Sequence, residues 1–423
     1  MRGLPIFSLA LKSLLARRVT AFLTIISIAT AVFLFVAVEN LRQGARQSFE
    51  RTITETDLIV GARSSSINLV LYSVFQIGDA TNNISWETYQ DIKNRSDIAW
   101  SVPISLGDSH RGYRVIGTTP DYFTYYKYAD SRHLEFFDGQ VFNDLFDIVL
   151  GAQVARELGY EVGTSLTLSH GTGATSFSQH KDKPFIVSGV LMPTGTPVDR
   201  SVLVSLQAIE AIHEGWQNGT ATPLARLATP ERLRKMRLDP KGITAAYLGA
   251  TSRVRTLKIQ RDLNSYKSEP LQAVIPGVAL SQLWNMMSTV ERALAIVSAF
   301  VIAVGLIGIL TSILTSLNER RREMAILRSV GARPRHIVTL LVSEAAALAF
   351  IGAMLGVCIL YGASWVLKGF LEARYNMSAL SLTPSWFDIG VIGGVTIIAA
   401  ILGLVPALLA LKRSLSDGLS VKF

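Results

Sequence analysis

Cysteine is nearly absent. The 423 residues contain one, Cys358, so the chain has no internal disulfide and no Cys-x-x-Cys redox or metal motif. Cys358 falls within an apolar stretch and reads as a small packing residue. No His-Glu-x-x-His helix and no nucleophile elbow occurs, and no Gly-x-x-x-x-Gly-Lys-Ser/Thr phosphate loop is present. The chain therefore has no P-loop with which to hydrolyse ATP on its own. Charge is also scarce: 17% of residues are charged, where a soluble domain has about a quarter. The net charge of +9 crowds beside apolar stretches, which argues against nucleic-acid binding.

What the sequence has is apolar length. A hydrocarbon core of about 30 Å needs about 20 apolar residues at ~1.5 Å rise each. Four stretches meet this: Val19–Val38, Ala293–Leu317, Ile337–Leu367 and Ile389–Leu411. Only the third carries an acid, Glu344. The first is too long for a signal-peptide core and lacks a small-x-small cleavage site, so it reads as a retained anchor. Lys and Arg set the orientation. Arg2, Lys12, Arg17 and Arg18 precede the first stretch, and six arginines lie within 318–336, while the loop 368–388 has only Lys368 and Arg374. The expected order is a cytoplasmic segment 1–18, a first span 19–38, an exported domain 39–288, and a second span 293–317. A cytoplasmic loop 318–336, a third span 337–367, a short outer loop 368–388, a fourth span 389–411 and a cytoplasmic tail 412–423 follow. The fold class is thus a membrane protein of four transmembrane α-helices, one N-terminal and three C-terminal, with a large α+β periplasmic domain between the first and second.

Within the exported segment, Leu41, Ala45 and Phe49 form one stripe, and Leu280, Leu283, Trp284, Met287 and Val290 form another. They predict a helical stalk continuous with the first and second spans; two ordinary amphipathic helices at a domain edge remain the other reading. Leu58–Ala62 is a short apolar run. Trp100–Leu106, Tyr113–Gly117, Ile148–Gly151, Ser165–Ser169 and Phe185–Leu191 are strand-like. Helices are expected over Ser85–Ile92 with Ser85 as cap, Gln153–Leu158 before a turn at Gly159, Leu206–His213, Leu224–Met236 and Arg253–Leu263. The whole reads as α+β in two subdomains, with a composition shift near Gly139–Asp147 as the crossing.

Candidates for chemistry here are few. Histidines 110, 133, 170, 180 and 213 are scattered. His170 and His180 flank a Gly/Ser/Thr-rich stretch, which reads either as a loop carrying two metal ligands or as a solvated loop. Asp199 and Arg200 suggest an ion pair in a turn. The cluster Tyr122, Phe123, Tyr125, Tyr126 and Tyr128 reads as core packing or as a contact surface.

The sharpest motif is NERRREMAILRSVGARPRHI, residues 318–337. Met324, Leu327, Val330 and Gly331 share one face of a short helix, with Ile326 beside them and Arg320–Arg322 and Arg328 elsewhere. Gly331 is placed to end the helix, and Pro334 turns the chain into the third span. An interfacial helix on anionic lipid, or a loop satisfying the positive-inside rule, would account for the charges. Neither requires the Glu323-x-x-x-Leu327-x-x-x-Gly331-Ala332 pattern.

That pattern, followed by Glu344 in the next span, resembles the FtsX-like permease family of ABC transporters, the MacB or type VII class. VIGTTPDYF (115–123), IVLGAQVARELGYEVGTSLTL (148–168) and FIVSGVLMPTGTPVDRSVLV (185–204) look like the periplasmic core domain of such permeases. The resemblance covers essentially the whole chain. It implies that the Arg-rich segment is a coupling helix, with Arg320, Arg321, Arg322, Glu323, Ile326, Leu327, Val330, Gly331 and Ala332 docking on a separate ATPase subunit. ATP and Mg would then sit on that partner, with no cofactor, catalytic residue or metal of this chain's own. It further implies a homodimer in the bacterial inner membrane, with a periplasmic adaptor and an outer-membrane channel as further partners in some members. Gly352 and Gly356 form a small-xxx-small pair suited to close helix contact. Glu344 is a polar position of family type, paired by Arg320–Arg322 or a neighbouring subunit. The implied function is transmission of ATP-driven movement to the periplasmic domain for export or extraction of a peptide, drug or lipoprotein. A non-transporting complex that regulates a periplasmic enzyme or sensor kinase is the alternative.

Overall fold

The computed structural model describes residues 18–170, 183–214, 216–217, 220–221, 229–319, 332–375 and 384–416. The chain divides into two compact units, one built from the long apolar helices and one from the segment 45–287 with 371–379.

Four stretches of the helical unit are long and apolar enough to cross a membrane: Arg18–Gly44, Pro276–Thr315, Pro334–Val366 and Trp386–Ala410. They belong to helices Arg18–Glu50, Pro276–Glu319, Pro334–Tyr375 and the pair Trp386–Leu402 and Leu404–Ser416. The core of this unit follows helical spacing. Ile28, Val32 and Val36 of the first helix meet Leu306, Ile309 and Ile313 of the second. Leu341, Ala345, Ala349 and Ala353 of the third and Val395 and Ala399 of the fourth complete it. Phe300, Val304, Ile307 and Trp365 face outward, as apolar residues in contact with lipid do. The fourth helix is broken at Gly403. Pro406 has no N–H to return to the turn before it, which accounts for the interruption there.

The inserted domain is organised by one mixed eleven-stranded sheet. Its strands are β1 (Leu58–Ala62), β2 (Ile98–His110), β3 (Tyr113–Thr118), β4 (Phe136–Gly139), β5 (Asp147–Leu150) and β6 (Ser165–Leu166). The rest are β7 (Ser169–His170), β8 (Phe185–Leu191), β9 (Ser201–Ser205), β10 (Ala245–Ala250) and β11 (Leu271–Val274). The path is β11-β1-β10-β2-β3-β9-β5-β8-β4, with β7 added on β2 and β6 on β8. The pairs β3–β9 and β5–β8 are parallel and the others antiparallel. Both faces are covered. Leu58 and Val60 enter one cluster with Tyr89, Ile92, Ile259 and Leu263, while Ile59 enters another with Leu69, Tyr72 and Tyr247. Alternate residues of a strand point to opposite faces, so a strand buried on both sides reads as an unbroken apolar run, as Leu58–Ala62 does. A third cluster gathers Ile148, Leu150, Phe185, Val187, Val202 and Val204 under helices Ala152–Leu158 and Leu206–His213.

Local signals place several elements. Ser85 accepts from Thr88 N and caps helix Trp86–Lys93, and Ser205 accepts from Ala208 N and caps Leu206–His213. Gly159, with φ +66°, closes Ala152–Leu158 in the left-handed conformation that costs glycine nothing. Over Leu224–Met236 the structure differs from the expectation: the helix there is Pro230–Leu233, capped by Thr229, and 222–228 lies outside the described residues. Residues 140–146 connect β4 to β5, both of which pair with β8.

Candidate functional site

The coupling residues proposed from sequence fall almost entirely where the structure is not described. Arg320, Arg321, Arg322, Glu323, Ile326, Leu327, Val330 and Gly331 lie outside the described residues; Ala332 is within them and half-buried. Pro334 is the first residue of the third helix, where its fixed φ suits the helix and its missing N–H costs nothing. Arg333 N donates to His336 Nδ1 at 3.2 Å, so an imidazole covers one of the free donors at this helix start.

Ten residues further on, Glu344 is buried at 5% exposure and is engaged by neighbouring groups. An acid at this depth requires a polar or protein-lined setting. Ala345, beside it, lies against the break of the fourth helix: a Cβ built at Gly403 would sit 2.9 Å from the Ala345 Cβ. The acid thus sits on the face of the third helix that packs within the bundle. Its pairing with Arg320–Arg322 involves residues outside the described set.

Gly352 and Gly356 have a defined partner, the first helix of the same chain. A Cβ at Gly352 would fall 2.8 Å from the Ile28 Cβ, and one at Gly356 would fall 2.4 Å from the Ala29 carbonyl oxygen. At Gly352 the neighbour is the Ile28 side chain and at Gly356 it is backbone, and both lie too close for a Cβ, the packing expected where lipid supplies no hydrophobic drive between helices. Gly308 has nothing within 4 Å.

Sequence reasoning missed a second polar group in this unit. Asp388 is buried at 3% exposure; its Oδ2 accepts from Ser385 N at 2.8 Å and from the Tyr361 hydroxyl at 2.5 Å. Ser385 and Asp388 form a capping box at the start of the fourth helix, and Tyr361 ties that start to the third. The signal was present as Ser-x-x-Asp before an apolar run. In the same unit, Arg42 bridges Glu39 at 2.6 Å and Glu291 at 3.4 Å, linking the first helix to the second.

In the inserted domain, Phe49 and Trp284 meet edge to face at 5.7 Å, so parts of the two stripes pack together, whereas Met287 is exposed. Tyr122, Phe123 and Tyr126 are core residues, and Tyr125 stacks on Trp100 at 4.9 Å. This settles the aromatic cluster as packing. Asp199 does not simply pair with its neighbour. It is buried and accepts from Thr194 N, Gly195 N and the Thr194 hydroxyl, fixing the turn, while Arg200 lies over the Tyr113 ring at 5.6 Å. Lys183, fully buried, donates to the carbonyls of Ala211, Ile212 and Glu214 and closes the C-terminus of helix Leu206–His213. His110 is held between the Thr167 carbonyl (2.7 Å) and the Tyr160 hydroxyl (3.0 Å), and burial pushes its imidazole below the usual range. His133 is exposed. His180 lies outside the described residues, and His170 is placed by its backbone pairing with Asp108.

One apolar helix before an α+β domain and three after it, with glycine contacts between the first and third and buried acids at Glu344 and Asp388, define a four-helix membrane permease. Residues 21–237, just over half of the chain, match the MacB-like periplasmic core domain, and residues 295–415 match the FtsX-like permease C-terminal domain. The chain belongs to this FtsX-like, MacB-type family of ABC permeases.

It is similar to the macrolide export ATP-binding/permease protein MacB of Bdellovibrio bacteriovorus, with 24% identity over 411 residues, 90% of this chain and 57% of that protein. It thus spans little more than half the length of that relative. The ABC transporter permease YknZ of Bacillus subtilis is 30% identical over 153 residues, 35% of each chain. The crystal structure of the periplasmic region of MacB from Actinobacillus actinomycetemcomitans superposes with a TM-score of 0.34 at 10% identity, covering 55% of this chain and 95% of that one.

Proposed function

We propose that this chain is the permease subunit of an ABC complex in the bacterial inner membrane and transmits ATP-driven movement to its inserted domain on the periplasmic side. The ATPase, with its ATP and Mg, is a separate polypeptide. Two permease chains pair, and the segment with Arg320, Arg321, Arg322, Glu323, Ile326, Leu327, Val330, Gly331 and Ala332 docks on the ATPase subunits in the cytoplasm. ATP binding draws the ATPases together, the coupling segments follow, and the long second helix carries the displacement outward. The work done outside is export or extraction of a peptide, drug or lipoprotein, with a periplasmic adaptor and outer-membrane channel as candidate partners.

The observation that carries this reading is the Glu-x-x-x-Leu-x-x-x-Gly-Ala segment between the second and third spans of a chain in this family. The near-absence of ionisable groups from the spans supports work outside the bilayer over a polar path through it. Purification from native membranes should bring down a nucleotide-hydrolysing companion. Leu327→Asp should leave the protein folded and inserted while abolishing coupling, measured as loss of ATPase co-purification. Undiminished association in that variant would remove the docking assignment.

A further inference from the structure

Helix Thr256–Asn264 packs against β11, the edge strand of the large sheet. Ile259 and Leu263 enter the core with Leu58, Val60 and Leu271. Asn264 Oδ1 accepts from Ala273 N at 2.6 Å, and Gln260 Nε2 donates to the Ala273 carbonyl at 3.1 Å. The outward backbone groups of Ala273 are thus in use, which blocks strand addition at this point of the edge. Arg95 Nη2 donates to Asp262 at 3.1 Å and Arg63 Nη2 to the Asn264 carbonyl at 2.8 Å, so the helix is held at its C-terminal half.

What this edge presents is therefore the outer face of the helix. Val254, Leu257 and Arg261 recur at three and four residues and share that face. Val254 is 91% exposed and Leu257 67%. Arg253, Arg255 and Lys258 surround them, all exposed. The charge here is one-sided. The first turn of the helix contains no acid, and Arg255 supplies no side-chain cap. Cations at a helix N-terminus oppose the macrodipole. The neighbouring acids are engaged: Asp97 and Asp262 hold Arg95, and Asp57 accepts from Ala250 N, with Arg253 Nε 4.0 Å from its other oxygen. Among the described residues Arg255, Lys258 and Arg261 make no ion pair.

We propose that this face binds an acidic, amphipathic segment of a partner protein, with its apolar side chains over Val254 and Leu257 and its carboxylates on Arg255, Lys258 and Arg261. Charge complementarity selects the acids, and arginine is enriched in protein interfaces and among their strongest contacts. A bilayer would gain little here: a whole myristoyl chain binds only marginally, and Val254 and Leu257 together offer fewer carbons. A second copy of the same face would set arginine against arginine. The proposal concerns the inserted domain alone and does not rest on ATPase docking.

The photo-crosslinking residue p-benzoylphenylalanine is placed at Leu257 of the full chain in its native membranes. The expected result is a protein adduct whose attached peptide, read by mass spectrometry, carries acidic and apolar residues. The same crosslinker at Phe137, exposed on the opposite edge strand β4, should not give that adduct. Arg255→Glu combined with Lys258→Glu should lower the yield by about tenfold, because like charges then meet. Arg255→Lys should retain it. Both positions are exposed, and an unchanged thermal midpoint shows that the variants fold. In detergent, the purified chain should bind a fluorescent Glu/Leu amphipathic peptide about tenfold more tightly than its Lys/Leu counterpart, less so at high salt. No protein adduct, an adduct only with lipid or a second copy, or a crosslinked segment without acids overturns the proposal. So does a yield unchanged by charge reversal in the folded chain, or equal binding of the two peptides.

Discussion

At the scale of single residues, buried polar groups in the inserted domain organise backbone. Lys183 is the strongest case, since a fully buried ammonium spread over three carbonyls replaces the water that a helix end would otherwise need. Lys183→Met leaves those acceptors unmet and should cost about 1–3 kcal/mol, read as a lower thermal unfolding midpoint. Arg95 grips Asp97 through two bonds of 2.9 Å and reaches Asp262 at 3.1 Å. The guanidinium holds the Asp97 carboxyl below the usual carboxylate range. A depressed carboxyl contributes stability above its unfolded pKa of about 3.9 and loses it as pH falls through the folded value. Arg95→Met should therefore move the onset of acid unfolding to higher pH, followed by tryptophan fluorescence.

Elements show a different balance. The first and third long helices approach through Gly352 and Gly356 closely enough that Ile28 and Ala29 fill the space a side chain would need. Gly356→Leu forces the helices apart and should destabilise the bundle by about 1–3 kcal/mol, measured as thermal stability in detergent. Gly308→Leu, where nothing lies within 4 Å, should leave the fold of the single chain unaffected. Elements also differ in how plainly the sequence announces them. Leu58–Ala62, Tyr113–Thr118, Phe185–Leu191 and Leu206–His213 follow from apolar runs with turn residues or a serine cap at their ends. The strand Ala245–Ala250 was missed: AAYLGA has no β-branched residue and no apolar–polar alternation. It is a strand because β1 and β2 flank it and both its faces are buried. Ser201–Ser205 was likewise not assigned, and it is held between β3 and β5.

For the whole molecule, sidedness is the test that bears on every part. In a Cys358→Ala background, Ser329→Cys should react with an impermeant thiol reagent only after the membrane is opened. Asp79→Cys, on the exposed surface of the inserted domain, should react in spheroplasts directly. Labelling in the opposite sense would reverse the proposed direction of transmission.

Composition and apolar length alone determined that this chain crosses a membrane four times with one large domain inserted, because about 20 consecutive apolar residues have no other stable setting. The Arg-rich segment and Gly331 remain expectations from the sequence, since residues 320–331 lie outside the described residues. Tertiary structure decided which helix the Gly352–Gly356 face meets, how Tyr361 and Asp388 join, and that Asp108 and His213, more than a hundred residues apart, face each other. Such contacts depend on strand order and helix packing, and no periodicity along the chain encodes them.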